Sequence, residues 1–469
     1  MRYRFKNLFA LLPTLVWACS SVLVEPKGQP PEVSIVGPPP WATFLRGEVV
    51  DLEVTASDTD GAVVAVWLYL DGRRLGVDSA SPYQFQWETR GERLGPHSVR
   101  AVAEDKSGLL SEDKIGLRLR WGDFAPEQLD DGWETSRAGV EGIDVGNIAA
   151  TMEKIDAGGW EFLHAILMVR NGKLVFEEYF GDFGRDSLQH VQSTTKSFTS
   201  SLVGIAIDRG EINSVDDVML DYLPQYAQLR DADNERITIR HCLMMAAGLQ
   251  WNEVSVPPLE SYNDNMVGHL VPDYVAYFLA KPSVAVPGTE YYYNSGCPLT
   301  LGAILRSAAG VPADAYAEQY LFGPLGISDF SWPSINYGKH VGTHGSLYIR
   351  PRDMAKFGQL FLQQGVWDGE RIISAEWVAQ STEPRLTVFG DVRYGYQWWF
   401  KEMNGYDVPF TSGHGGQHIF VVPELETIIV TATGYSDASM AVEQQNRLIN
   451  LVEYRIVPAV GSHSAEEGG

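Results

Sequence analysis

Cysteine is nearly absent: three occur in 469 residues, at Cys19, Cys242 and Cys297. That scarcity excludes a disulfide-built scaffold and any zinc site made of four cysteines. Basic residues are also short, 36 Lys and Arg against 60 Asp and Glu, for a net charge of −24. Such a chain lacks the basic face that nucleic-acid phosphates need, and an anionic membrane surface does not attract it. Neither His-Glu-x-x-His nor Gly-x-x-x-x-Gly-Lys occurs, so no metal, cofactor or nucleotide is signalled. What is present is ordinary for a globular protein, 45% hydrophobic and 20% charged, with enough length for more than one domain.

The N-terminus begins Met-Arg-Tyr-Arg-Phe-Lys and continues into an apolar run at 8–18, too short for a membrane span. The run ends Val16-Trp17-Ala18-Cys19, which resembles the lipobox of bacterial lipoproteins. The resemblance implies a signal over 1–19 with lipidation at Cys19. The chain is then an exported periplasmic or outer-surface lipoprotein, or alternatively a secreted protein. Its membrane contact is the lipid anchor alone. Residues 20–31, with Pro26, Gly28, Pro30 and Pro31, read as a tether. The other two cysteines are expected as buried thiols.

From 32 to 120 the pattern alternates apolar and polar, as in Val50-Asp51-Leu52-Glu53-Val54 and Tyr83-Gln84-Phe85-Gln86-Trp87. Asp60-Gly61, Asp71-Gly72 and Lys106-Ser107-Gly108 mark turns between such runs. About seven short strands in this length predict an all-β sandwich. The segment resembles bacterial immunoglobulin-like modules, and its expected role is that of a spacer. Asp58-Thr59-Asp60-Gly61 looks like the start of a calcium loop but lacks the later liganding acid, so a plain turn is expected.

A linker is expected over 121–146 and a second, mixed α and β domain over 147–460, with a disordered tail at 461–469. Asn171-Gly172 between Ala165–Val169 and Leu174–Phe176 predicts a hairpin. Helical patterns cover 197–208 and 354–364, and strand candidates recur at 419–422 and 428–430. Strands at both ends with helices between them predict an α+β layer architecture.

Three local patterns carry chemistry. Gln192-Ser193-Thr194-Thr195-Lys196 opens a helical segment and places Ser193 and Lys196 on one face, three residues apart. A serine hydroxyl becomes a nucleophile when a base takes its proton. A buried lysine can be that base, or it can stay charged and activate a tyrosine instead. The second pattern is Pro287-Gly288-Thr289-Glu290-Tyr291-Tyr292-Tyr293-Asn294-Ser295-Gly296, leading into an apolar helix. The third is Thr411-Ser412-Gly413-His414-Gly415-Gly416-Gln417 before a strand. Glycine-rich backbone at such a place can supply N–H donors for an oxyanion.

Together these resemble the penicillin-recognising serine hydrolases related to class C β-lactamases. A narrower likeness is to 6-aminohexanoate-dimer hydrolases and family VIII-type carboxylesterases. It is carried by Ser197 to Ala206, Ile237-Thr238-Ile239-Arg240-His241, Met244 to Trp251, Arg352 to Gly358, and Tyr394 to Trp399. The resemblance implies a β-lactamase/transpeptidase-like fold, an antiparallel sheet flanked by helices plus a helical subdomain. It also implies a small-molecule ester or amide as substrate, Ser193 as nucleophile, and Lys196 with Tyr293 as general base and acid.

Counting from Pro287-Gly288 and from Leu301-Gly302 lands on Tyr293; the register Tyr292-Tyr293-Asn294 is the alternative. Gly413, His414, Gln417, Asn294 and Ser295 are the expected oxyanion and substrate-binding residues. Either His414 or Gln417 supplies the second amide. The family's Lys-Thr-Gly is absent, which argues against true β-lactamase activity. The other functional readings are a DD-peptidase or weak β-lactamase on cell-wall-like substrates, and a non-catalytic envelope binding protein. His344, Trp251, Tyr262 and Trp398 are further candidates for the pocket wall, and His241 for a helix end.

Overall fold

The computed structural model describes residues 28–254, 262–434 and 440–461. The signal, Cys19 and most of the tether and tail lie outside the described residues. The chain divides into two compact units, Met1–Arg90 with Pro96–Leu119, and Gly91–Gly95 with Arg120–Gly469.

The first unit holds two sheets. One has the order Glu32–Gly37, Val49–Ser57, Tyr83–Glu88. The other has the order Thr43–Leu45, Leu110–Arg120, Gly95–Asp105, Val63–Leu70, Arg73–Asp78. Val50, Leu52 and Val54 on one strand and Tyr83, Phe85 and Trp87 on its neighbour are buried, while the residues between them are exposed. That period of two is what a sandwich with one wet face per sheet requires. Asp58–Gly61 is a turn in which Asp58 Oδ1 accepts from Asp60 N at 3.2 Å. Among the described residues no group of acids, histidines or cysteines is arranged to hold a metal ion.

The second unit is built on a nine-stranded sheet. Its order is Leu386–Phe389, Val392–Tyr394, Trp399–Met403, Tyr406–Gly413, Gln417–Val422, Thr427–Thr433, Leu163–Arg170, Lys173–Tyr179, Glu134–Thr135. The pairings from Leu386 to Tyr179 are antiparallel; only the two-residue edge Glu134–Thr135 runs parallel to its neighbour. First and last parts of this unit therefore meet at the sheet centre, where Leu163–Arg170 pairs with Thr427–Thr433. The Asn171-Gly172 hairpin forms as predicted, with both residues at positive φ (52° and 78°), the requirement of its two-residue turn.

The stretch read as a linker contributes the edge strand Glu134–Thr135 and a fully packed Trp133. Asp131 there accepts from Arg352 Nη1 at 2.7 Å. Helix Pro351–Leu362 lies on the sheet. It starts at its proline, whose missing N–H costs nothing at a first turn. Gly358 permits the close approach, since a Cβ there would stand 2.7 Å from Ile428 and 2.8 Å from Ile419. Helix Gly296–Ala309 packs on helix Thr195–Asp208 and, with the short helices Ile239–Leu243, Asp264–Leu270 and Tyr274–Leu279, forms the helical part. His241 closes a capping box with Thr238 at the start of its helix. Cys242 and Cys297 are buried free thiols. Among the described residues no helix is long and apolar enough to cross a membrane.

Candidate active site

Ser193 stands in the helical turn Gln192–Thr194 that runs directly into helix Thr195–Asp208. Every residue of that helix from 195 to 206 is buried, so the serine sits on a rigid support. Gln192, just before it, has φ +52°, a left-handed conformation unfavourable for a residue with a Cβ. Thr195 Oγ1 holds the turn by donating to Gln192 O at 2.6 Å, and Gln192 Nε2 meets His190 Nδ1 at 2.8 Å.

Lys196 follows one helical turn later. Its Nζ is 3.0 Å from Ser193 Oγ and also donates to the carbonyl of His344. The side chain is almost wholly buried, at 2% exposure. Desolvation brings the ammonium down to about 8, against a smaller opposing pull from Glu253.

Tyr293 completes the cluster. Its hydroxyl donates to Ser193 Oγ at 2.6 Å. Its ring lies stacked 6.4 Å from Trp399 and 4.9 Å below Lys196 Nζ. Burial pushes its phenol well above the ordinary tyrosine range, so it stays protonated. Tyr292 is 49% exposed, and its amide donates to Met245 O. Of the two tyrosines left open by the sequence, Tyr293 is the one that reaches the serine.

The remaining expected residues take different places. Asn294 Oδ1 accepts from Gly296 N at 2.8 Å and so sits at the start of the following helix. Ser295 is bound through both its amide and its hydroxyl to Glu253. Gly413 pairs with Gln417 across the turn 414–416, and a Cβ on Gly413 would lie 2.3 Å from Val191 O. The glycine strand is therefore pressed against the segment that delivers Ser193. Gln417 is fully buried. Its carbonyl accepts from Thr194 Oγ1 at 2.7 Å, and its side-chain amide binds Gln189 and Thr433. His414 is half-buried, and burial holds its imidazole below the ordinary value.

His344 lies deeper than a pocket wall, 6% exposed, with Nε2 3.0 Å from His269 Nε2. Burial and the neighbouring Lys196 keep it neutral. Trp251 and Trp398 are core residues, whereas Tyr262 is 61% exposed. Glu253, His269 and the His344 carbonyl were not found by reading motifs. Glu253 stands two residues beyond Trp251, and nothing in its local spacing marks it.

The sequence model of the family described as Beta-lactamase matches residues 152–453, and that of the Bacterial Ig domain matches residues 31–101. A 6-aminohexanoate-dimer hydrolase of Paenarthrobacter ureafaciens is 24% identical over 292 residues, which is 58% of this chain and 73% of that protein. Two solved structures share the fold. The octameric penicillin-binding protein homologue from Pyrococcus abyssi has a TM-score of 0.52 at 21% identity, covering 66% of this chain and 78% of its own. A D-stereospecific amidohydrolase from Streptomyces has a TM-score of 0.51 at 18% identity, covering 65% and 98%.

Proposed function

From the premise that the chain belongs to the beta-lactamase family, we propose that it is a serine hydrolase that cleaves an ester or amide bond through an acyl-enzyme on Ser193. The observation that carries this reading is the convergence on Ser193 Oγ of Lys196 Nζ at 3.0 Å and the Tyr293 hydroxyl at 2.6 Å. Base and acid are then each within hydrogen-bond reach of the nucleophile.

Lys196 in its neutral form takes the Ser193 proton as Oγ bonds to the carbonyl carbon. Burial brings its value down to about 8, so a minor neutral fraction exists near pH 7 and the neutral form dominates above pH 8. The bond to the leaving alcohol or amine then breaks, and Tyr293 supplies its proton, refilled from the Lys196 ammonium. Water attacks the acyl-enzyme by the same route in reverse and releases the acid. The Ser193 N–H and one amide of the turn beside Gly413 hold the oxyanion, where fixed donors act most strongly. The relative named as a hydrolase supports hydrolysis as the reaction.

Intact mass after incubation with a fluorophosphonate tests the reading. One added label on wild type and none on Ser193→Ala is the expected result. A folded wild type that takes no label overturns it. The Ig-domain match supports an exported setting. Metabolic labelling with a fatty-acid analogue, lost in Cys19→Ala, tests the lipid anchor.

A further inference from the structure

Glu253 is the acidic group of this site that the proposed chemistry leaves unused. Its Oε1 accepts from Ser295 Oγ at 2.7 Å, and its Oε2 from Ser295 N at 2.9 Å and from Trp251 Nε1 at 2.8 Å. Its own carbonyl accepts from Asn263 Nδ2 at 2.9 Å. Asn263, 2% exposed, in turn caps helix Asp264–Leu270 through Met266 N. Trp251 is itself 1% exposed. The carboxylate is therefore held from several directions by buried groups and grips Ser295 at two points. Two-point, charge-assisted bonds of this kind fix geometry as well as add energy.

Ser295 lies two residues after Tyr293 and immediately before helix Gly296–Ala309. The segment carrying Tyr293 has no strand or helix of its own to hold it. Its backbone is tied on one side by Tyr292 N, which donates to Met245 O at 2.8 Å, and on the other by Ser295, so the Glu253–Ser295 bonds fix the end that leads into the helix.

We propose that Glu253 is a positioning residue of this hydrolase: by clamping Ser295 it sets the Tyr293 hydroxyl on Ser193, and it supplies the negative charge that offsets the buried Lys196 ammonium. The proposal rests on the catalytic reading of Ser193, Lys196 and Tyr293.

The charge balance around Lys196 supports the second role. Among the described residues no carboxylate forms an ion pair with Lys196 within 4.0 Å. The groups that face it are Ser193, Tyr293, the His344 carbonyl and, at longer range, Cys297 and Glu253. Burial keeps the Cys297 thiol protonated and the His344 and His269 imidazoles neutral. The phenols of Tyr274 and Tyr291, which also feel Glu253, are likewise held protonated. Glu253 is then the anionic group opposing the desolvation of Lys196.

Three variants test this on p-nitrophenyl ester hydrolysis over a pH series: Glu253→Gln, Glu253→Asp and Ser193→Ala. Glu253→Gln keeps the shape and removes the charge. We expect kcat/KM to fall roughly 10- to 100-fold, as for a catalytic group displaced by a fraction of an ångström. We also expect its acid limb to move to lower pH, because Lys196 loses its proton more easily without the neighbouring anion. Glu253→Asp keeps the charge and shortens the reach. Its acid limb is expected to stay at the wild-type pH while kcat falls. A Glu253→Gln enzyme with wild-type kcat/KM and an unmoved acid limb overturns the proposal. If that variant fails to fold by circular dichroism, Glu253→Asp decides: wild-type kcat, or a displaced acid limb, overturns it. Failure of the underlying reading looks different, since wild type then neither turns over esters nor takes the fluorophosphonate label, and Ser193→Ala equals wild type.

Discussion

The Tyr293 hydroxyl and Ser193 Oγ lie 2.6 Å apart although a hundred residues of chain separate them. The serine rides on a helix buried at the centre of the second unit, and the tyrosine on an irregular segment before another helix. Their contact ties the helical part of the unit to Ser193. Removing only the phenolic oxygen, in Tyr293→Phe, keeps the ring against Trp399 and beneath Lys196. Ester hydrolysis is expected to fall by about 10²- to 10⁴-fold, the usual worth of a positioned proton donor, with little change in melting temperature. Tyr292→Phe is expected to behave as wild type. Equal losses in the two variants would reverse the assignment.

Activity is expected to rise with pH through an acid limb near pH 8, where Lys196 loses its proton. Stability carries the same signature. The lysine's value falls from 10.5 in the unfolded chain to about 8 in the folded one, so the folded state binds fewer protons between those limits. The wild type is therefore penalised below pH 8, and the penalty is lifted as pH rises toward 10.5. Chemical denaturation of wild type and Lys196→Met across pH 7 to 10.5 checks this. The wild type should gain relative to the variant, on the order of 3 kcal/mol over the whole window. A difference that stays flat with pH would show that Lys196 is not desolvated in solution.

Gly413→Ala should disable the site without touching any titratable group. The new Cβ would lie 2.3 Å from the Val191 carbonyl, a backbone atom with no freedom to move aside. Val191 stands two residues before Ser193, so the strain falls on the turn that carries Ser193. A drop of at least roughly 10-fold in fluorophosphonate labelling rate is expected. Labelling at the wild-type rate would mean that the strand yields instead.

Arg352 is a stability determinant remote from the chemistry. Its guanidinium bonds Glu177 at 2.7 and 2.6 Å, Asp131 at 2.7 Å and the Glu127 carbonyl at 2.9 Å. The side chains of Arg352 and Glu177 are each 4% exposed. Arg352→Met removes the two-point cationic partner of the buried Glu177 carboxylate, which costs about 3–5 kcal/mol. Denaturant melts should show that loss, while kcat of the protein that remains folded is unchanged.

Several features of this chain could be read from local order alone. Asn171-Gly172 specified its hairpin because both positions need positive φ. The Ser193–Lys196 spacing specified a shared helix face because one helical turn brings i and i+3 together. The alternation along 49–57 and 83–88 specified strands with one buried face. The order of the three motifs was enough to point to the family and its fold.

The stretch 121–146 read as a linker because its glycines and acids outnumber its apolar residues. Its role at the sheet edge became visible only with Trp133 and Asp131 beside Arg352.

What the sequence determined by itself is the set of local conformations and the candidate residues Ser193, Lys196 and Tyr293, since backbone geometry fixes distances over three or four residues. Tertiary structure alone decided which of two adjacent tyrosines faces Ser193. It also decided that the His344 carbonyl, 148 residues from Lys196, accepts from its ammonium, and that Glu253 clamps Ser295, 42 residues away. Those contacts follow from sheet register and helix docking, which depend on the packing of the whole core and leave no periodic mark in the chain.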